Sequence, residues 1–137
     1  MRDPVAVVRF ATDADQPVID GLLASHTANH RGSDDLAVLV DSPDGRWLVA
    51  EVDGETVGAA KVALGRLPRP TVLCVVVHRD ARALGIGAAL LDEIRRSART
   101  EGHDRIDAAA LPGDRDTKNL YERAGLTARL IIASGDA

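Results

Sequence analysis

The chain has 137 residues, 45% of them hydrophobic, which is the size and apolar content of one globular domain. Such a domain buries about two-thirds of its unfolded surface without staples. The formal net charge of −4 argues against nucleic acid as a partner and leans toward cationic substrates. With a single cysteine, Cys74, an internal disulfide is excluded. The first thirty residues carry neither a signal peptide nor a long apolar segment, so no membrane partner is expected and a cytoplasmic location is the default.

Val5 to Phe10 is apolar and β-branched and reads as a first strand. Thr12-Asp13, with Gln16 in support, predicts a helix start, and the helix reaches about Ser25. Ala28 to Val40 has no clear period and reads as a connector. Ser42-Pro43-Asp44-Gly45 is a turn by composition. Trp47–Val52 and Thr56–Leu64 then form an expected antiparallel pair joined across Asp53-Gly54, a strong two-residue hairpin signal. Phe10 and Trp47, two of only three aromatic residues, are expected to pack in or beside the core.

Pro68 and Pro70 break the chain before Val72–Val77, an apolar run that needs cover on both faces and is therefore a central strand. Cys74 within it reads as a small buried hydrophobe rather than a nucleophile. The helix after Gly85 spaces Gly87, Leu90, Leu91, Ile94 and Ala98 along one stripe. Arg95, Arg96 and Arg99 interleave with Asp92, Glu93 and Glu101 and read as a solvated helix face. A turn at Glu101-Gly102 leads to a short strand around Asp107 to Leu111, and Asp114 or Asp116 caps the next helix. Leu120, Tyr121 and Ala124 line its inner side, Gly125 stops it, and Leu126 to Ala133 reads as a closing strand. Without repeats or low-complexity stretches, residues 1–137 are expected to make one domain.

Chemistry is concentrated in VLCVVVHRDARALGIGAALL, from Val72 to Leu91. An apolar strand empties into a loop with arginine and glycines and then becomes a helix, an order that aims unpaired backbone N–H groups at one point where a phosphate can sit. Gly85 and Gly87 lack Cβ and so let the backbone turn sharply and approach a ligand, while Arg82 adds a permanent cation. A Rossmann fingerprint would need its third glycine where Leu90 stands, and a Walker A loop would need a lysine beside glycine. The only lysines, Lys61 and Lys118, have no glycine beside them.

What remains is R-x-x-G-x-G from Arg82 to Gly87, which resembles the acetyl-CoA signature of the GNAT superfamily of N-acyltransferases. NLYERAGL, from Asn119 to Leu126, resembles that family's second motif, a helix carrying a tyrosine and ending in glycine. The resemblance implies an α/β (α+β) fold, a mixed and mostly antiparallel central sheet flanked by helices, with splayed central strands. It also implies acetyl-CoA as co-substrate with no metal, and a small-molecule or peptide amine as acceptor. Val75, Val76 and Val77 would lend main-chain groups to the pantetheine arm. The diphosphate would lie on the N–H groups of Arg82, Ala83, Leu84, Gly85, Ile86, Gly87 and Ala88. Tyr121 would be the general acid that protonates the departing sulfur, against the alternative of a core tyrosine with a satisfied hydroxyl.

The sequence departs from the family pattern at several points. Ala83 stands where glycine usually follows the loop arginine, His78 replaces a proline, and Asp114 stands where many relatives carry an asparagine. The Val72–Val77 strand has no acidic residue to serve as base. Glu51, Asp53 and His78 are the candidates, beside the alternatives that they are surface groups or that water removes the proton. His30, Arg31, Ser33, Asp34 and Asp35 could form an acceptor-facing specificity loop or a plain connector. Two functions follow: an N-acetyltransferase working through a ternary complex, or a CoA-binding sensor or subunit module without turnover. A nucleotide-binding α/β domain is a weaker third reading, and a homodimer is an expectation of the resemblance.

Overall fold

The computed structural model describes residues 6–28, 41, 43–64, 69–110, 114–128 and 135–137. Strand β1 (Val7–Phe10) leads through a 3-10 turn at Asp13–Asp15 into helix α1 (Gln16–Ala28). Then come β2 (Gly45–Val52), β3 (Glu55–Ala63) and β4 (Thr71–Val77), a 3-10 turn at Arg79–Leu84, helix α2 (Ile86–Thr100), β5 (Asp107–Ala108) and helix α3 (Arg115–Arg123). The five strands lie in the order β1-β2-β3-β4-β5. Every neighbouring pair is antiparallel except β4 and β5.

Local chemistry explains the boundaries. Asp53 and Gly54 both have positive φ, 52° and 82°, the two left-handed residues that a type I′ hairpin requires. The helix start expected at Thr12-Asp13 is found there, with Asp15 rather than Gln16 closing the cap. Thr12 is the cap, and its N–H donates to the Asp15 carboxylate at 2.7 Å. Asp15 also accepts two bonds from Arg9 at 2.8 and 2.9 Å, and Arg9 reaches Glu51 at 2.7 Å. One guanidinium thus ties β1, β2 and the first turn together. Arg9 and the Thr12 N–H hold the Asp15 carboxyl well below the usual carboxylate range.

α1 extends to Ala28, past the expected end near Ser25, because no breaker interrupts it. His26 therefore lies on its last turn. Asp114 caps α3 by accepting from the Thr117 N–H at 3.2 Å, so of the two expected caps it is the one used. Gly125, with φ 83°, ends the helix. The expected closing strand from Leu126 to Ala133 lies largely outside the described residues, as do Asn29–Val40 of the connector and Ser42 of the turn.

Helices cover both faces of the sheet. Leu48, Ala50, Ala60, Val62, Val72 and Val75 pack with Ile86, Leu90, Leu91 and Ile94 of α2 and with Tyr121 of α3. The alternate residues Val49, Ala59 and Val76 pack with Ile19 and Leu22 of α1. Strand alternation thus places α1 and α2 on opposite faces. Phe10 and Trp47 are half-buried, each flanking one of these clusters, as expected. Leu91, Leu90, Ile94 and Ala98 are buried along the predicted stripe.

One irregularity positions the site. In the β3–β4 register Lys61 faces Cys74 and Val62 faces Val72, which leaves Leu73 as an extra residue in β4. This β-bulge shifts the alternation by one, so that Val72, Val75 and Val77 share the α2 face. At the same level the β4–β5 ladder stops. It pairs Thr71 with Asp107 and Val72 with Ala108, and the Ala109 N–H donates to Val72 O at 2.8 Å. Beyond that point β4 pairs with β3 alone among the described strands.

Candidate active site

A cavity of about 760 Å³ opens beside the upper half of β4. Val75 and Val77 of β4, Arg82 of the turn, and Gly85, Gly87 and Ala88 at the start of α2 line it. His26 of α1 lines it as well, so the cavity reaches from the α2 face past β4 to the α1 side.

The turn that shapes its mouth is held from within. His78 Nδ1 accepts from the Asp80 N–H at 3.1 Å, and buried Ala81 anchors the 3-10 turn. Gly85 has φ 72°, a left-handed residue that reverses the chain directly into α2, and a Cβ there would point into open space. The Ala89 N–H donates to Gly85 O at 3.0 Å, so the N–H groups of the three residues before it belong to the turn that has no partner within a helix.

Gly87 lines the cavity and has a packing task as well. It sits inside α2, and a Cβ there would lie 2.8 Å from Leu120 Cδ2. Its smallness lets α3 close against α2 rather than giving the backbone an unusual dihedral. Gly58 of β3, which carries no motif, does the same for the helix start, because a Cβ at 58 would meet Ile86 Cγ2 at 2.6 Å. A glycine in a strand interior is the signal that could have found it.

Five of the predicted residues do not line the cavity. Val76 turns its side chain to the α1 cluster, Ile86 is buried in the core, and Ala83 and Leu84 lie exposed on the turn. Tyr121 is 6% exposed, and its hydroxyl donates to Ala109 O at 2.9 Å, just past the end of the β4–β5 ladder. Burial, reinforced by Cys74 and Asp114, raises its phenol above the ordinary range and keeps it protonated. The Cys74 thiol is pushed up to about 12 by burial, which removes it as a nucleophile near neutral pH.

Several cavity residues escaped the sequence reading. Arg95, expected on a solvated face, is half-buried and lines the cavity together with Asp92 and Arg123. Its spacing of two helical turns from Gly87 is the signal. Arg96, by contrast, pairs with Glu93 outside it. Arg82 reaches Asp116 across the mouth at 3.4 Å. His26 Nε2 lies 3.7 Å from Asp114 Oδ2, with the two side chains only 12% and 8% exposed. Burial alone would raise the Asp114 carboxyl, but His26 and the hydroxyl and N–H of Thr117 overcome it and hold it at about 2. The three proposed bases lie elsewhere. Glu51 is paired with Arg9, Asp53 forms the hairpin turn, and His78 stands exposed as a cap.

Among the described residues no group of three or more His, Cys, Asp or Glu could hold a metal ion, and no helix is long and apolar enough to cross a membrane.

Solved structures share this architecture over nearly the whole chain. A ribosomal-protein-alanine N-acetyltransferase from Brucella melitensis biovar Abortus 2308 aligns with a TM-score of 0.78 at 24% identity, covering 97% of this chain and 99% of that one. A transcriptional regulator from Bacillus halodurans C-125 gives 0.75 at 20%, covering 97% and 100%. The aminoglycoside N-acetyltransferase AAC(6')-Iy, in complex with the bisubstrate analogue CoA-S-monomethyl-acetylneamine, gives 0.72 at 15%, covering 97% and 99%. No curated protein matches the sequence. At these identities the structures establish the fold. The family model for the acetyltransferase (GNAT) family matches residues 16–126, from the first residue of α1 to the residue after Gly125, and so takes in the cavity and both motifs. The chain belongs to the GNAT acetyltransferase family.

Proposed function

We propose that the protein moves an acetyl group from acetyl-CoA to a primary amine of a small molecule or peptide within a ternary complex. The observation that carries this reading is the cleft beside β4, running from the first turn of α2 to the end of α1 in a GNAT chain. Its residues suit CoA. The volume falls in the range of small-molecule sites, Gly85 keeps one wall clear of side chain, and the helix start offers N–H groups and a positive dipole end to an anion. The analogue held by AAC(6')-Iy supports both CoA and an amine acceptor.

When bound, acetyl-CoA supplies a thioester open to attack by an amine. The N–H groups from Arg82 through Ala88 hold the diphosphate, and the Arg82 guanidinium adds charge at the mouth. Val75, Val76 and Val77 lie past the end of the β4–β5 ladder. There their main-chain groups bind the pantetheine arm, and one N–H polarises the thioester carbonyl. Tyr121 exchanges its bond to Ala109 O for the departing sulfur and gives up its proton.

One observation favours a second reading, a CoA-binding sensor or subunit module without turnover. The Tyr121 hydroxyl is already satisfied by Ala109, and the side chain does not line the cavity. Thiol release from acetyl-CoA, measured with an alkyl diamine, an aminoglycoside and a peptide beginning with alanine, separates the two. Transfer to at least one amine, lost in Tyr121→Phe while CoA still binds, supports the transferase. Tight CoA binding with no transfer to any amine supports the module.

A further inference from the structure

We infer that His26, held by Asp114, is the general base that takes the proton from the acceptor amine, an assignment that rests on the acetyl-transfer reading above. The proton balance creates the need. An ammonium acceptor carries three protons on nitrogen; the amide keeps one, the leaving sulfur takes one, and the third must go to a base. β4 has no carboxylate, and Glu51, Asp53 and His78 lie outside the cavity.

His26 meets the requirement by position. It is the one imidazole lining the cavity among the described residues, and it stands on α1, across the sheet from the first turn of α2. With the diphosphate at the α2 end, an amine entering from the α1 end arrives beside His26. The step breaks an N–H bond of the ammonium, forms an N–H bond on the imidazole, and frees the nitrogen lone pair for the thioester carbonyl. Imidazole is the side chain that makes this exchange near neutral pH.

Asp114 is a positioning residue. Its carboxylate, 3.7 Å from His26 Nε2, is itself pinned by the Thr117 hydroxyl at 2.7 Å, and it stabilises the imidazolium that forms. This also explains an aspartate where the family pattern has asparagine: either side chain caps α3, but only the carboxylate brings a charge to His26. The other charged groups that face the cavity are Arg82 of the turn, Asp92 and Arg95 of α2, and Asp116 and Arg123 of α3. Lys61 and Cys74 lie on the sheet between the helices, and neither lines the cavity.

The test is the pH dependence of kcat/KM for wild type, His26→Gln and Asp114→Asn, using the best acceptor of the panel above. Each variant is first shown by its melting shift with CoA to retain the fold and the cofactor site. His26→Gln should lose about 100-fold or more near pH 7. The gap should close as pH approaches the acceptor's own ionisation, about 10 for an alkyl amine, because the amine then needs no base. Asp114→Asn should show a smaller loss with a displaced acid limb, and added imidazole should restore part of the activity of His26→Ala. A wild-type kcat/KM in His26→Gln, or a loss by the same factor at every pH, overturns the assignment. A wild type that transfers to no amine overturns the acetyl-transfer reading and the assignment together.

Discussion

The two motif glycines, Gly85 and Gly87, are predicted to fail in different ways when replaced by valine. At Gly85 an added Cβ meets no atom within 4 Å, so the main cost to the folded state is φ 72°, about 1–3 kcal/mol for a non-glycine residue. Gly85 lines the cleft where the diphosphate would lie, so a side chain there is expected to obstruct it. At Gly87 the φ is helical, but Cβ alone lands 2.8 Å from Leu120 Cδ2 and 3.1 Å from Cδ1, and valine adds two methyl groups to the collision. Overpacking of this kind costs about 1–3 kcal/mol or more, and α3 must move away from α2. The assay is thermal melting with and without CoA. A ligand at a hundred times its dissociation constant stabilises by about 2.7 kcal/mol, or roughly 6–15 °C for a domain of this size. Gly85→Val should melt a few degrees low and lose that shift. In Gly87→Val a Leu120→Ala change should recover stability by making room, whereas the same change should only weaken Gly85→Val. A full CoA shift in Gly85→Val, or no coupling between positions 87 and 120, would refute the reasoning.

Replacing Tyr121 with Phe should lower acetyl transfer by about 100-fold or more and stability by about 1 kcal/mol, since Ala109 O loses its donor; matched kinetics and urea melts check both, and unchanged transfer would make Tyr121 a core residue. Asp114 gives a pH window. Its folded carboxyl is held at about 2 from an ordinary 3.8, so its contribution is complete above the ordinary value and is lost as pH falls through the folded one. That amounts to about 2 kcal/mol, and Asp114→Asn should flatten the urea-melt midpoint between about pH 5 and 2 relative to wild type. Of CoA, acetyl-CoA, NAD and ATP, the first two alone should raise the melting temperature strongly; a larger shift with NAD would favour a dinucleotide site.

Most of the scaffold was legible because local rules and tertiary packing agree. The α2 stripe from Gly87 to Ala98 is a helical period with no competing one, and Asp53-Gly54 between two β-branched runs admits little besides a tight hairpin. The start at Thr12 was legible, but the choice of Asp15 rather than Gln16 to close the cap depends on a long-range partner, Arg9, that the local sequence does not show. The bulge at Leu73 could not be read from an unbroken apolar run, yet it decides that Val75 and Val77, rather than Val76, face the cleft. The packing role of Gly87 was not legible because the chain does not announce that Leu120 will pack on it. His26 and Asp114 are 88 positions apart and no motif links them; only the closure of α1 and α3 around the end of β4 makes them a pair.

The most direct measurement of the central claim is an amide-resolved NMR titration of the uniformly labelled protein with CoA. The N–H signals of Gly85, Ile86, Gly87 and Ala88, with those of Val75 to Val77, should move furthest and saturate together. Saturable shifts confined to other elements, with these seven signals unmoved, would contradict the account.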